Sequence, residues 1–249
     1  QWKSENSEIN SRLLENVRTT NSPKKDALVT AISTLKNEWI ITTDADCIVN
    51  KNWLLTIDNY IQENNVKMIA SSVIYKTKNN WFHHFQQMDL LSLQGTTIGS
   101  FGLGKPFMCN GANFAYKKQL FIDLDGFNGN NKIASGDDVF LLQKAIQKSP
   151  EKVHFLKSKD TIVVTKPEND LFKLFMQRVR WASKTSSYSS LYAKFLAITV
   201  MLMNLSLILN LWFVLIQKMD WKILLGTFLI KYCIDYILLF KTNKFLLNG

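Results

Sequence analysis

Glu38-Trp39-Ile40-Ile41-Thr42-Thr43 leads directly into Asp44-Ala45-Asp46. The β-branched and aromatic run reads as a buried strand, and the two carboxylates follow its C-terminal end. In an open α/β sheet that end is where ligands bind. Working outward, residues 24 to 36 carry the pattern of a short amphipathic helix. On the other side, Asn52 opens a helical pattern through Trp53, Leu54, Ile57, Tyr60 and Ile61, and Val66 to Tyr75 reads as a second strand. Strand, helix and strand in this order predict an α/β layer fold.

Beyond Trp81 a mixed helical stretch leads to a glycine-rich loop, Gly99 to Pro106, and then to Cys109-Asn110-Gly111-Ala112-Asn113. Gly136-Asp137-Asp138 is expected to cap a helix from Val139 to Lys148. Short strands follow at Val153 to Leu156 and Thr161 to Thr165. An amphipathic helix from Asp170 to about Tyr188 comes next, with Leu171, Leu174, Phe175, Val179 and Ala182 on one side. Such a helix can lie in the plane of a membrane interface. The chain shows no internal repeat and no low-complexity segment.

Apolar residues gather toward the C-terminus. Phe195 to Gln217 is 23 residues without a charge, bracketed by Lys194 and Lys218. At about 1.5 Å per residue this reaches across a hydrocarbon core of roughly 30 Å. A second run, Trp221 to Phe240, is interrupted by Lys222, Lys231 and Asp235. Lys231 and Asp235 are four apart and can pair on one helix face, and such a pair inside a membrane faces protein or a cavity. The net charge of +10 is partly explained by Arg178, Arg180, Lys184 and Lys194, which precede the first span. They suit a cytoplasmic side facing anionic lipid and leave nucleic acid outside the expected partners. Cys47, Cys109 and Cys233 form neither a disulfide framework nor a CxxC metal site, which fits a reducing cytosol.

Three constellations can carry chemistry. Asp44 and Asp46 flank a small residue and can share a cation; hard oxygen ligands suit Mg²⁺ or Mn²⁺ bridging a diphosphate. The same pattern also occurs in ordinary surface turns. Asp137-Asp138 can serve a helix start, through amide capping and the dipole, or can accept a proton from an attacking hydroxyl. In Gln177-Arg178-Val179-Arg180-Trp181, arginine offers fixed positive charge to a pyrophosphate and tryptophan a flat face to a sugar; the same residues suit a membrane-surface helix.

In their order and rough spacing these three motifs resemble family 2 glycosyltransferases with C-terminal membrane helices. The resemblance implies a GT-A, Rossmann-like nucleotide-diphospho-sugar transferase domain, followed by transmembrane helices. It assigns the metal to Asp44 and Asp46, the catalytic base to Asp138 with Asp137 as the preceding acid, and closure over the donor to Gln177, Arg180 and Trp181. Lys24 is similar to the lysine near the donor phosphates, although Val29 stands where the family has Asn. Asn110 and Gly111 resemble the loop lining the sugar pocket, where glycine permits close backbone approach. The family's first strand and its Asp-Asp-Gly-Ser turn do not precede Lys24, so the domain is expected to be N-terminally incomplete.

The expected organisation is a partial catalytic domain over residues 1 to 190 and a membrane region over 191 to 249, with helices near 195 to 217 and 221 to 240. The expected function is inverting transfer from a nucleotide-sugar donor to a lipid or glycan acceptor, with the catalytic domain on the cytoplasmic face of a multi-pass cell-membrane protein. The alternatives are an inactive, membrane-tethered nucleotide-sugar or carbohydrate binding module, and a basic membrane-associated scaffold. His83, His84 and His154 are read as packing or surface residues, with His154 the one placed to act as an extra metal ligand.

Overall fold

The structure, a computed structural model, describes residues 10–129, 136–185 and 190–248, without the side chains of 183–185. The expected α/β order is present. Helix α1 (Pro23–Thr34) precedes strand β1 (Trp39–Thr42), and α2 (Trp53–Glu63) precedes β2 (Met68–Ala70) and β3 (Val73–Tyr75). Then come α3 (Trp81–Gly102), β4 (Phe114–Lys117), α4 (Lys118–Asp123) and α5 (Asp137–Lys148). β5 (Val153–Phe155), β6 (Val163–Thr165), α6 (Leu171–Thr185), α7 (Leu191–Leu215) and α8 (Trp221–Leu246) complete the chain.

The main sheet has the order β1-β4-β2-β5. β4 runs antiparallel to both β1 and β2, whereas β5 runs parallel to β2. Its side chains alternate between two cores. Phe114 and Tyr116 join Ile40, Met68, Leu142 and Ala145 on one face, while Ala115 joins Trp53, Ile57 and Ile69 on the other. β4 did not show in the sequence because both of its faces are buried, which removes the two-residue polarity period.

The single strand expected over Val66 to Tyr75 is two strands in two sheets. β3 leaves β2 and pairs in parallel with β6. At the break, polar groups outside the ladder take the backbone bonds. The Ser71 amide donates to the Asn113 carbonyl (3.1 Å), Asn113 Nδ2 donates to the Ser72 carbonyl (2.7 Å), and Gln94 Oε1 accepts from the Val73 amide (3.2 Å). With the Ser71 amide and the Ser72 carbonyl bonded in this way, residues 71 and 72 pass the chain from one sheet to the other.

Two further expectations are corrected. Gly99 to Gly102 belong to α3 rather than to a loop, and the turn begins at Leu103, followed by Gly104 with φ +65°. Packing of α3 overrides the roughly 1 kcal/mol that each helical glycine costs relative to alanine. Asp137 and Asp138 are the first two residues of α5 rather than residues preceding it, and the N-cap position is held by Gly136 in the left-handed conformation, φ +88°, although Asp138 does take the Val139 amide. Glycine suits that backbone because it has no Cβ to clash. The part of α6 expected to reach Tyr188 lies outside the described residues, as does the Lys184 side chain.

α7 and α8 are both long and apolar enough to cross a membrane. They form a hairpin tied inside by Asn210 Nδ2 donating to Thr227 Oγ1 (3.1 Å), and Lys231 pairs with Asp235 as expected. The last turns of α8 return to the α/β layer, where Thr242 and Leu246 are buried. Gly95 of α3 allows this approach, since a β-carbon there would stand 2.2 Å from Thr242 Oγ1.

Candidate active site

The carboxylate-bearing end of β1 is held by its last residue. Thr42 Oγ1 donates to the carbonyl of Gly111 (2.7 Å) and to that of Phe114 (3.2 Å). This fastens the Asp44 strand end to the turn Gly111–Asn113 that enters β4. Asn110 closes the same turn by accepting from the Ala112 amide (3.0 Å). Behind it, Asn113 is buried and joins Trp53, Ser72 and Thr161, so it is structural.

Onto this turn α5 brings Asp138. Its Oδ2 accepts from the Gly111 amide (2.8 Å) and its Oδ1 from the Val139 amide (2.8 Å). A β-carbon at Gly111 would stand 3.3 Å from both Cβ and Oδ2 of Asp138, so the close approach suits glycine there. Each carboxylate oxygen keeps a further lone pair.

Lys24, at the start of α1, completes the cluster. Its Nζ lies 3.0 Å from Asp44 Oδ1 and 4.0 Å from the buried Asp137. Burial opposes the ammonium charge, but Asp137, Asp44 and Asp138 outweigh it and hold the Lys24 pKa above its ordinary value. The Lys24–Asp44 pair is half-exposed, and a pair of that kind contributes roughly 0–1 kcal/mol, so its stability alone gives little reason to bring Asp44 to Lys24 and the buried Asp137. The cluster with Asp46 sets four carboxyl groups against one ammonium, an arrangement suited to a cation and to the phosphates that a cation and a lysine can share.

Asp46 lies one turn beyond and accepts from Thr165 Oγ1 (3.3 Å), while the Ile48 and Val164 backbones bridge beside it. Thr165 is paired with Tyr75 across β6 and β3, and Tyr75 hydrogen-bonds Arg178. Gln177 donates to Glu168 Oε1 (3.2 Å), and the Arg178 guanidinium lies 4.2 Å over the Trp181 ring while pairing with Asp89. Thus Lys24, Asp44, Asp137, Asp138 and Gly111 meet directly. Gln177 and Trp181 sit on α6, which is linked to Asp46 through Thr165 and Tyr75.

Within the Gln177 to Trp181 motif, Arg178 is held by Asp89, Gln177 and Trp181, and Arg180 is exposed. The part played by Thr42 was missed from sequence, although a hydroxyl closing an apolar strand is a usable signal for such a latch. His154 bonds Tyr60 (2.9 Å) and the Glu151 carbonyl (3.1 Å), a packing role on β5. The free Cys47 beside Asp46 is held above the ordinary thiol value by burial, which keeps it protonated.

The family model for glycosyl transferase family group 2 matches residues 39–246, which takes in β1, the acidic cluster, α6 and both apolar helices. The chain belongs to this family. Membership and architecture together give the α/β fold class with apolar C-terminal helices that the motifs implied. No curated protein matches the chain. Among solved structures, it is similar to glucosyl-3-phosphoglycerate synthase from Mycobacterium tuberculosis, in complex with phosphoglyceric acid, at 14% identity and TM-score 0.40, covering 74% of this chain and 58% of that one. It is also similar to a mycobacterial protein at 12% identity and TM-score 0.35, covering 64% of this chain and 48% of that one. The chain therefore spans between about half and three fifths of the lengths of these two structures.

Proposed function

We propose that this family 2 glycosyltransferase domain transfers a sugar from a nucleotide-diphosphate sugar to an acceptor hydroxyl with inversion, Asp138 acting as the general base. The observation that carries the reading is the meeting of Lys24, Asp44 and Asp137 with Asp138 seated on Gly111. In this reaction the acceptor oxygen bonds to the anomeric carbon as the bond from that carbon to the diphosphate breaks. The acceptor proton passes to Asp138, and no protein nucleophile is needed. The two amides on Asp138 hold the carboxylate in one orientation. Lys24, an ammonium at neutral pH, can leave Asp44 for the donor phosphates, with Arg180 adding positive charge and Gln177 and Trp181 closing over the donor.

Asp44 and Asp46 fit a divalent cation by donor chemistry, since both are carboxylates with accessible oxygens. Among the described residues no group of three or more metal-binding side chains forms, so phosphate oxygens would complete the shell. Bound there, Mg²⁺ or Mn²⁺ would neutralise charge on the departing diphosphate. Calorimetry provides the test. Mn²⁺ should bind tightly only with a nucleoside diphosphate, and Asp46→Ala should abolish that binding; tight binding without nucleotide, unchanged in Asp46→Ala, overturns the assignment. Metal-dependent release of nucleoside diphosphate separates the enzyme from an inactive sugar-binding module, which would bind donor without turnover.

The acceptor reading is a lipid or glycan at the cytoplasmic face of a cell membrane crossed by α7 and α8. It is supported by the two apolar helices and by the cations preceding α7. Cysteines placed at Ser190, Asp220 and Lys244 test the orientation; labelling at 190 from outside intact cells refutes it.

A further inference from the structure

Four carboxylates lie around the end of β1, and the surroundings of Asp46 differ from those of the other three. Asp44 and Asp137 have the Lys24 ammonium, and Asp138 has two backbone amides. Among the described residues Asp46 has neither. Its Oδ2 accepts from Thr165 Oγ1 at 3.3 Å, and its Oδ1 meets the Cys47 thiol at 3.9 Å. The Thr165 hydroxyl is therefore the closest donor that the protein offers to this carboxylate.

Thr165 is held in place by its own backbone. It ends β6, pairs with Tyr75 of β3, and its carbonyl accepts from the Lys76 amide (2.8 Å). One residue earlier, Val164 exchanges two backbone bonds with Ile48, at 2.7 and 2.9 Å, and Val163 is fully buried. The Asp46 side is held as well, since the Cys47 amide closes the turn onto the Asp44 carbonyl (3.0 Å). Two segments, each fixed by main-chain bonds, thus meet at one hydroxyl–carboxylate contact between residues 119 apart in sequence.

An exposed carboxylate on a turn rotates about its terminal bond, and a cation that it binds must first stop that rotation. With one oxygen tied to Thr165, the plane of the carboxyl group is set and the other oxygen has one direction. The hydroxyl carries a single proton. Cys47 also lies within hydrogen-bond reach of it, but an anionic carboxylate is a better acceptor than a thiol sulfur. A hydrogen bond of this kind behind a ligating carboxylate orients it, and its loss typically costs about 10–100-fold in metal affinity or activity.

We propose that Thr165 is a positioning residue for Asp46: its hydroxyl holds Oδ2 and leaves Oδ1 to a divalent cation shared with the donor diphosphate. The proposal rests on the reading that Asp44 and Asp46 bind that cation. Thr165 is paired with Tyr75, which bonds Arg178, so one strand pair carries both the Asp46 contact and a contact to the Gln177 to Trp181 segment.

Calorimetry on the full chain in detergent tests this, with Mn²⁺ titrated in the presence of uridine, guanosine or thymidine diphosphate, whichever the unaltered chain binds best. Thr165→Val removes the hydroxyl and keeps the β-branched shape that suits β6, whereas Thr165→Ser keeps the hydroxyl. Thr165→Val should weaken Mn²⁺ binding about 10–100-fold with its melting temperature nearly kept. Thr165→Ser should stay within a few-fold of the unaltered chain, and nucleotide affinity measured without metal should be the same in all three. If Asp46→Ala abolishes Mn²⁺ binding while Thr165→Val leaves it unchanged, or if Thr165→Ser loses as much as Thr165→Val, the proposal is overturned and the metal assignment stands. Mn²⁺ binding that is absent, or unaffected by Asp46→Ala, overturns both.

Discussion

The Gly111 amide donates a 2.8 Å hydrogen bond to Asp138 Oδ2, and a β-carbon on Gly111 would stand 3.3 Å from that same oxygen. The turn that follows residue 110 therefore sets where the carboxylate at the start of α5 can point. Gly111→Ala forces Asp138 to give by a few tenths of an ångström. Displacement on that scale should lower kcat by about tenfold with little change in melting temperature. Unchanged turnover would mean that this contact does not position the base.

Asp138→Asn should lower kcat by about 10² to 10⁴ while donor binding is nearly kept, the range expected for a lost general base. Asp137→Asn should cost less, because Asp137 is buried and acts through Lys24, 4.0 Å away. Steady-state kinetics with a separate measurement of donor affinity distinguishes the two. Loss of metal-dependent donor binding in Asp138→Asn would move that residue from base to metal ligand.

The α3–α8 contact predicts a reversible packing defect. At Gly95 a β-carbon would stand 2.2 Å from Thr242 Oγ1 and 2.9 Å from Leu238. Gly95→Ala should destabilise the folded chain by about 1–3 kcal/mol, the usual cost of overpacking. Thr242→Ala in the same chain should recover most of the loss, by removing the clashing hydroxyl. Thermal denaturation in detergent of the two single variants and the double variant measures the coupling.

Asp26, at the start of α1, gives a pH dependence of definite sign. Burial raises its pKa, but bonds from the amides and hydroxyls of Thr19 and Thr20 outweigh it and hold the carboxyl down to about 2, against an ordinary value of 3.8. A folded value below the unfolded one gives stability that is full above 3.8 and is lost as the pH falls through about 2. Asp26→Asn should therefore lower the melting temperature at neutral pH, and the gap to the unaltered chain should close below pH 3.8. An equal gap at every pH would mean that the carboxylate charge contributes nothing.

The sequence alone determined what depends on local pattern. The run Glu38 to Thr43 identified β1, the apolar stretches identified α7 and α8, and three short motifs gave the family, because burial periodicity and motif chemistry are written within a few neighbouring residues. The tertiary structure decided what depends on partners distant in the chain. It placed β4 at the centre of the sheet, split the strand expected over Val66 to Tyr75 through Asn113 and Gln94, and put Lys24 between Asp44 and Asp137. It also made Gly136 the N-cap and left Asp137 and Asp138 facing the site. The physical reason is that a backbone group or carboxylate takes its role from whatever satisfies it, and here those partners lie from about 20 to 113 residues away in sequence.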